Sequence, residues 1–188
     1  MAEFLLRHLL GGGVAGGGAG ATAAERSGLS VSVASAGLLS DGEPASPGAI
    51  EVMADRGIDL SSHRSHRLDG VVLERADLVI GMAREHVREA VVVEPSVWPR
   101  AFTLKELVRR AAAVEPRPSG QAVAAWLAVV GRGRTTADLV GEDPTDDVAD
   151  PMGRALRHYR DTADEIEHLL ESLVERAWTG AAGGRGAA

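Results

Sequence analysis

The sequence predicts an α/β domain of three layers, in which a short, mainly parallel sheet lies between helices. Two observations support this prediction. Short apolar runs typical of strands alternate with segments of helical periodicity, and 45% of the residues are hydrophobic, as in a globular protein. With 188 residues the chain is long enough to bury a core. We expect one domain over residues 1–178 and a disordered Gly/Ala-rich tail over 179–188.

The first elements follow from periodicity and glycine content. Residues 2–10 place apolar side chains at helical spacing, which predicts a helix that Gly11 ends. The Gly-rich stretch 11–20 is expected to be flexible, because glycine loses the most backbone entropy on ordering. Residues 29–36 alternate apolar residues with serine, which predicts a strand.

A second helix is predicted to begin at Ser46-Pro47, with serine as N-cap and proline in the first turn, and to end at Gly57. Its expected apolar stripe is Ala49, Ile50, Met53 and Ala54. Next, the continuous apolar run in residues 76–82 predicts a buried central strand.

The rest of the chain continues this alternation. The predicted elements are a helix at 84–92, a strand at 102–104, and helices at 105–114, 121–130 and 154–178. Three strands are few for a sheet that helices cover on both faces. We therefore expect a further strand, placed upstream of residue 1.

Charge and composition exclude several classes of function. The net charge is −7 and Lys105 is the single lysine, which argues against a nucleic-acid partner and against an anionic membrane surface. The chain contains no cysteine, which excludes disulfides, thiolate metal sites and thiol nucleophiles, and fits a cytoplasmic protein. No signal peptide is predicted, and the apolar run 122–130 is too short to span a bilayer.

The pair Asp150-Pro151 is the main candidate site. One interpretation is structural: aspartate as N-cap and proline as first residue of the last helix, with the carboxylate near the positive end of the helix dipole. The other is a general acid on a loop. Spacing favours the cap, and the two roles are compatible.

Two other patterns in the sequence are only weak evidence for a functional site. His63 and His66 are three residues apart and could ligate a metal, but no third ligand completes the set, so a polar loop is the preferred interpretation. The glycine stretch 11–20 lacks the Gly-Lys-Ser/Thr ending of a phosphate loop. We predict neither a metal nor a cofactor.

Several segments together resemble the bacterial low-molecular-weight protein tyrosine phosphatases. They are Ala34-Ser35-Ala36-Gly37, residues 44–49, the Gly57-Ile58-Asp59 region through Ser65, residues 76–82 and Asp150-Pro151. The similarity covers roughly residues 1–175, in the order of the family. Each piece is weak alone, and the set is strong.

The resemblance implies a phosphotyrosine phosphatase I-like fold and a two-step phosphoryl transfer. In the family a cysteine in a C-x-x-x-x-x-R-[ST] loop attacks phosphate, and an aspartate, here Asp150, protonates the leaving phenol. The family sequence continues after that loop as Ser-Pro-Met-Ala-Glu, and this chain opens with Met1-Ala2-Glu3. The resemblance therefore implies that the first strand and the cysteine loop are missing here, and that the chain is inactive as it stands.

Three hypotheses follow. The chain is a phosphatase fragment that starts at an internal methionine, and with the loop restored it would act on a phosphotyrosine protein or a small phosphomonoester. Alternatively it is a pseudophosphatase, a binding or regulatory module. An arsenate reductase-like reaction ranks last, because its redox relay needs further cysteines. Met152-Gly153 stand where the family often has aromatic residues. The sequence does not indicate an oligomeric state.

Overall fold

The computed structural model of the protein describes residues 1–11, 31–140 and 144–178. The helices in this part are α1 (Ala2–Leu9), α2 (Pro47–Ala54), α3 (Gly70–Arg75), α4 (Arg84–Val93), α5 (Leu104–Ala112), α6 (Val123–Val130) and α7 (Leu156–Ala177). Short 3-10 helices cover Pro95–Arg100, Thr136–Leu139 and Pro144–Asp146. Apart from Gly11, the glycine stretch predicted to be flexible lies outside the described residues, as does the tail 179–188.

The sheet is parallel, which confirms the predicted α/β class. Strands β1 (Val79–Gly81) and β2 (Ala101–Thr103) pair in register, with Ile80 opposite Phe102, and α4 connects them. The predicted central strand at 76–82 is thus shorter than expected. Within the described residues β1 has one strand neighbour, and Val79 and Ile80 are only half-buried.

The strand predicted at 29–36 is wrong for the residues described. Residues 31–36 form no strand, and the next residue, Gly37, makes only an isolated bridge with Arg67. The Val33 carbonyl accepts a hydrogen bond from the Arg7 guanidinium, at 3.0 Å from Nε, instead of one from a ladder. A strand depends on a partner elsewhere in the chain, so alternation alone was not sufficient.

The predicted helices agree with the structure to within a few residues, with one omission. Helix α3 was missed; it begins after Asp69, whose side chain accepts a hydrogen bond from Val72 N–H at 2.8 Å. In α2, Ser46 is the N-cap as predicted, but its side chain makes no cap hydrogen bond. The predicted stripe of α2 was partly wrong, because Val52 is buried and Ala54 is exposed.

Most of the core is formed by one long stripe of α7 packed against α1, α2 and α5. Its buried residues are Tyr159, Thr162, Ala163, Ile166, Leu170, Leu173, Val174 and Ala177. A second, smaller cluster of buried residues consists of Leu73, Val87, Ala90, Val97 and Ala101. The sheet separates the clusters, because neighbouring residues of β2 point to opposite faces: Ala101 belongs to the second cluster and Phe102 to the first.

Helix α2 approaches α7 very closely at Gly48. A Cβ atom built on Gly48 would lie 2.8 Å from Cδ2 and Cε2 of Tyr159, well inside van der Waals contact. The absence of a side chain at Gly48 is therefore what allows the Tyr159 ring to pack against the first turn of α2.

No helix in the described part of the chain is both long and apolar enough to cross a membrane.

Candidate active site

Asp150 lies in the loop of residues 147–155, which we call the acid loop. Its side chain is exposed, and its Oδ1 accepts a hydrogen bond from Met152 N–H at 2.9 Å, which closes a local turn. Helix α7 begins only at Leu156, with Ala155 as its N-cap. The prediction that Asp150 caps the last helix is therefore wrong.

The physical reason is a second turn between the aspartate and the helix. The Pro151 carbonyl accepts a hydrogen bond from Arg154 N–H at 2.9 Å, and Gly153 has a φ of +73°, a conformation that favours glycine. The Asp150 carboxylate thus accepts a hydrogen bond from an N–H group of its own loop rather than from the first turn of α7.

The start of the acid loop is bound to the carboxyl end of β1. Asp147 Oδ1 accepts a hydrogen bond from the backbone N–H of Arg84, the first residue of α4, at 2.7 Å. The next residue, Val148, donates its N–H to the Met82 carbonyl at 2.7 Å and is buried. In parallel α/β sheets ligands bind beyond the carboxyl ends of the strands, so the loop lies on the side where a site is expected.

Two further contacts hold the acid loop and the turn before it. The hydroxyl of Thr162, on α7, donates to the Ala149 carbonyl at 3.2 Å. Arg109, on α5, forms an ion pair with Asp146 at 2.7 Å. The loop is therefore connected to α4, α5 and α7, and Asp150 itself extends into solvent.

The N-terminal helix contacts the segment that follows the undescribed residues 12–30. Glu3 forms an ion pair with Arg7 at 2.7 Å and also accepts a hydrogen bond from the Ser35 hydroxyl. Arg7 in turn donates to the carbonyl of Val33. These contacts fix the loop 33–37 against α1.

The histidine pair belongs to a polar loop, as the preferred interpretation had it. The His63 ring lies edge-on to Phe4 of α1, at 5.5 Å between centroids, and Arg64 donates to the His63 carbonyl at 2.7 Å. Among the described residues, no group of three or more His, Asp or Glu side chains could hold a metal ion.

A surface groove of about 440 Å³ lies beside this loop. It is lined by Ala34, Ser35, Ala36, Asp41, His66, Arg67, Leu68, Asp69 and Val72. None of these residues belongs to the acid loop, so the groove and Asp150 are separate features.

Within the described residues, the two carboxylates whose pKa is lowered, those of Asp59 and Glu94, lie outside the acid loop. The backbone and side chain of Ser61 donate to Asp59 and lower its pKa, and the side chain and backbone of Ser96 do the same for Glu94. Each carboxylate accepts its hydrogen bonds from a serine two residues further along the chain and so caps a local turn, which gives neither a catalytic role.

Sequence reasoning identified Asp150 and assigned no role to Asp147, Arg84 or Thr162. One signal for Asp147 was available. Helix α4 starts after Ala83, which has no side-chain acceptor, so its first N–H groups need an acceptor from elsewhere in the chain. Nothing in the sequence indicated that the acceptor would come from 63 residues away.

Comparisons with known proteins agree with this architecture. The family model described as low molecular weight phosphotyrosine protein phosphatase matches residues 20–117. A Ralstonia solanacearum protein named as a probable low molecular weight protein-tyrosine-phosphatase, EpsP, is 45% identical over 80 residues, 43% of this chain and 54% of that protein. The chain thus spans about half the length of the first curated relatives that it matches.

Longer matches exist. The protein-arginine-phosphatase of Bacillus subtilis is 30% identical over 154 residues, 81% of this chain and 80% of that protein. The low molecular weight protein tyrosine phosphatase from T. tengcongensis has a similar structure, with a TM-score of 0.61, 28% identity and coverage of 93% of this chain and 87% of that one. The parallel sheet, the order of the elements and these matches together show that the chain belongs to the low molecular weight phosphotyrosine protein phosphatase family.

Proposed function

We propose that this chain is the scaffold of a phosphomonoesterase of that family, with Asp150 as the general acid. The observation that carries the proposal is the position of Asp150 on a loop bound to the carboxyl end of β1. Because Oδ1 is occupied by Met152 N–H, the proton for a leaving group would be carried on Oδ2. The substrate would be a phosphotyrosine protein or a small phosphomonoester.

The 188 residues include no cysteine, so the polypeptide has no group that can form a cysteinyl-phosphate. We therefore propose that the chain as it stands does not turn over phosphomonoesters. The purified chain should hydrolyse para-nitrophenyl phosphate no faster than buffer. Hydrolysis above background that co-purifies with the folded chain would refute this part of the proposal.

The acid role is tested in a chimaera in which a strand and a C-x-x-x-x-x-R-[ST] loop precede Met1. Asp150→Asn should reduce kcat by roughly 10²–10⁴-fold in this chimaera, as expected for loss of a general acid. Asp146→Asn is the matched control, since Asp146 lies on the same segment but pairs with Arg109. Equal rates in the Asp150→Asn chimaera and its parent would remove Asp150 from the mechanism.

A second candidate substrate is a phosphorylated arginine. It is supported by the relative named protein-arginine-phosphatase, whose similarity covers 81% of this chain. It is also supported by Met152 and Gly153, which offer no aromatic ring to stack on a phenol. The ratio of kcat/KM for a phosphoarginine peptide and a phosphotyrosine peptide, measured with the chimaera, decides between the two.

The third candidate is a pseudophosphatase, which binds partners but catalyses no reaction. A cooperative thermal transition of the purified chain together with a chimaera that stays inactive would favour this binding module.

We propose that residues 1–178 form one domain in any of these cases. We also propose that the protein acts in the cytoplasm, which its lack of cysteine supports.

A further inference from the structure

We infer that Asp147 is the positioning residue of the acid loop: its hydrogen bond to the start of α4 holds Asp150 at the carboxyl end of β1. The inference rests on the proposed role of Asp150 as the acid. It concerns a residue that neither the family motif Asp-Pro nor the sequence reasoning singled out.

The start of α4 has no capping side chain of its own, because its N-cap is Ala83. The Ala83 N–H donates to Nδ1 of His86 at 3.2 Å. The next N–H, that of Arg84, donates to the Asp147 carboxylate at 2.7 Å. A carboxylate here receives a charge-assisted hydrogen bond and lies at the positive end of the helix dipole.

The acid loop is anchored at two adjacent residues. Asp147 binds α4 through its side chain, and Val148 binds the Met82 carbonyl through its backbone, also at 2.7 Å. Because two neighbouring residues are bound to the connection between β1 and α4, the direction in which the loop leaves this connection is fixed. Asp150 follows three residues after Asp147, so it stays within roughly 11 Å of this anchor.

Asp147 differs from its neighbour Asp146 in its donor, although both residues are half-buried. Asp146 pairs with the Arg109 side chain, which is 59% exposed, so solvent screens the pair on the arginine side. The donor to Asp147 is a backbone N–H that belongs to a packed helix. The Arg84 side chain also donates to the Asp138 carbonyl at 3.0 Å, so Arg84 contacts both ends of the segment 138–147.

The test uses backbone amide signals of the full 188-residue chain, with no substrate. In the wild type, the amides of Arg84, Val148 and Met152 should be protected from hydrogen exchange, because each donates a hydrogen bond. Asp147→Ala should accelerate exchange at the Arg84 and Val148 amides by about tenfold or more, as expected for loss of a charge-assisted bond. It should also accelerate exchange at the Met152 amide, because the released loop holds the bond from Met152 N–H to Asp150 less firmly.

Asp147→Asn keeps an acceptor oxygen and should restore the protection of the Val148 and Met152 amides from hydrogen exchange. The matched control is Asp69→Ala, which removes the same kind of bond from the start of α3 and should leave Met152 and Val148 unchanged. Unchanged hydrogen exchange at the Met152 amide in Asp147→Ala, an equal effect of Asp69→Ala, or no rescue by Asp147→Asn overturns the inference.

If Asp147→Ala fails to fold, hydrogen exchange measured on the wild-type chain still tests the inference. The amides of Arg84 and Val148 should then show the same protection from exchange within about threefold, because one opening breaks both bonds; independent opening contradicts the inference. None of these signals depends on catalysis. If the Asp150→Asn chimaera were as active as its parent, the proposed role of Asp150 as an acid would be refuted. The hydrogen-exchange evidence that Asp147 anchors the loop would still stand.

Discussion

Arg134 is buried between two aromatic rings although it carries a charge. Its side chain is 3% exposed, and its guanidinium carbon lies 4.0 Å from the centre of the Trp98 ring and 3.8 Å from that of Phe102. It also pairs with Glu106 at 2.8 Å and donates to the Ala101 carbonyl at 2.6 Å. Burial lowers the pKa of Arg134 and Glu106 opposes this, so the residue stays a cation.

We predict that Arg134→Met lowers the free energy of unfolding by about 3 kcal/mol, because it removes a buried ion pair and its hydrogen bonds to carbonyl groups. Glu106 keeps Arg110 as a partner, which limits the loss. Arg134→Lys should also destabilise, since an ammonium cannot stack on both rings or reproduce the guanidinium fork. Urea unfolding at pH 7, followed by circular dichroism, measures the effect.

Arg160→Ala is the control for this prediction. Arg160 is half-exposed and pairs with Glu51 and Asp55 at 3.9 and 3.4 Å, so its loss should change stability by at most about 0.5 kcal/mol. Equal destabilisation by Arg134→Met and Arg160→Ala would contradict the argument from burial.

At the scale of the element, the 3-10 helix Pro95–Arg100 leads from α4 into β2. Its N-cap is Glu94, whose side chain accepts a hydrogen bond from Ser96 N–H at 3.0 Å. Hydrogen bonds from the side chain and backbone of Ser96 lower the pKa of Glu94. The folded state therefore favours the ionised cap.

We predict a pH-dependent effect of Glu94→Gln. A lowered carboxyl pKa contributes stability above the unfolded-state pKa, about 4.3 for glutamate, and this stability is lost as the pH falls through the folded-state value. The variant should have a lower Tm than the wild type at pH 7, and the difference should disappear at acidic pH. Ser96→Ala should decrease the difference at pH 7, because the serine side chain is the larger cause of the shift. A difference that is the same at both pH values would contradict the mechanism.

A comparison of the predicted and observed elements shows which of them the sequence specifies locally. Helices with local signals were predicted: Pro47 starts α2, and the periodic pattern of α7 was correct except at its start. The strand predicted at 29–36 was wrong over its described residues 31–36, where the Val33 carbonyl accepts its hydrogen bond from Arg7 of α1 rather than from a sheet. The cap assigned to Asp150 failed because an Asp-Pro pair suits a turn as well as a helix start, and Gly153 decided for the turn.

Of the candidate site, the sequence indicated only Asp150, from its position before Pro151 and from the resemblance, and its role as an acid stays a prediction. The contacts that hold it join residues far apart in the chain, Asp147 with Arg84 and Thr162 with Ala149. No local pattern specifies such pairs, because they depend on how α4 and α7 are placed relative to the sheet.

At the scale of the whole molecule, two buried clusters lie on opposite faces of a two-stranded sheet. We predict that they unfold together, because consecutive residues of β2 belong to both. Leu173→Ala, in the larger cluster, should cost about 2–5 kcal/mol, and Val97→Ala, in the smaller one, about 1–3 kcal/mol. Each should shift one common transition, measured by circular dichroism and by tryptophan fluorescence.

The tryptophans allow a direct check of this cooperativity. Trp98 lies in the segment beside the smaller cluster, and Trp126 and Trp178 are buried in the larger one. In a variant that keeps only Trp98, and in one that keeps only Trp126, the fluorescence midpoint of urea unfolding should equal the circular dichroism midpoint of the same variant. Fluorescence and circular dichroism midpoints that differ within one variant would divide the proposed single domain into two units.

The close approach of Gly48 to Tyr159 has an evolutionary consequence. Because any Cβ at position 48 would meet the ring at 2.8 Å, the two positions cannot vary independently. Homologues that carry a side chain at position 48 should have a smaller residue than tyrosine at position 159, and those that keep an aromatic ring there should keep the glycine. This covariation would mark which descendants of the fold retain the same docking of helix α2 on helix α7.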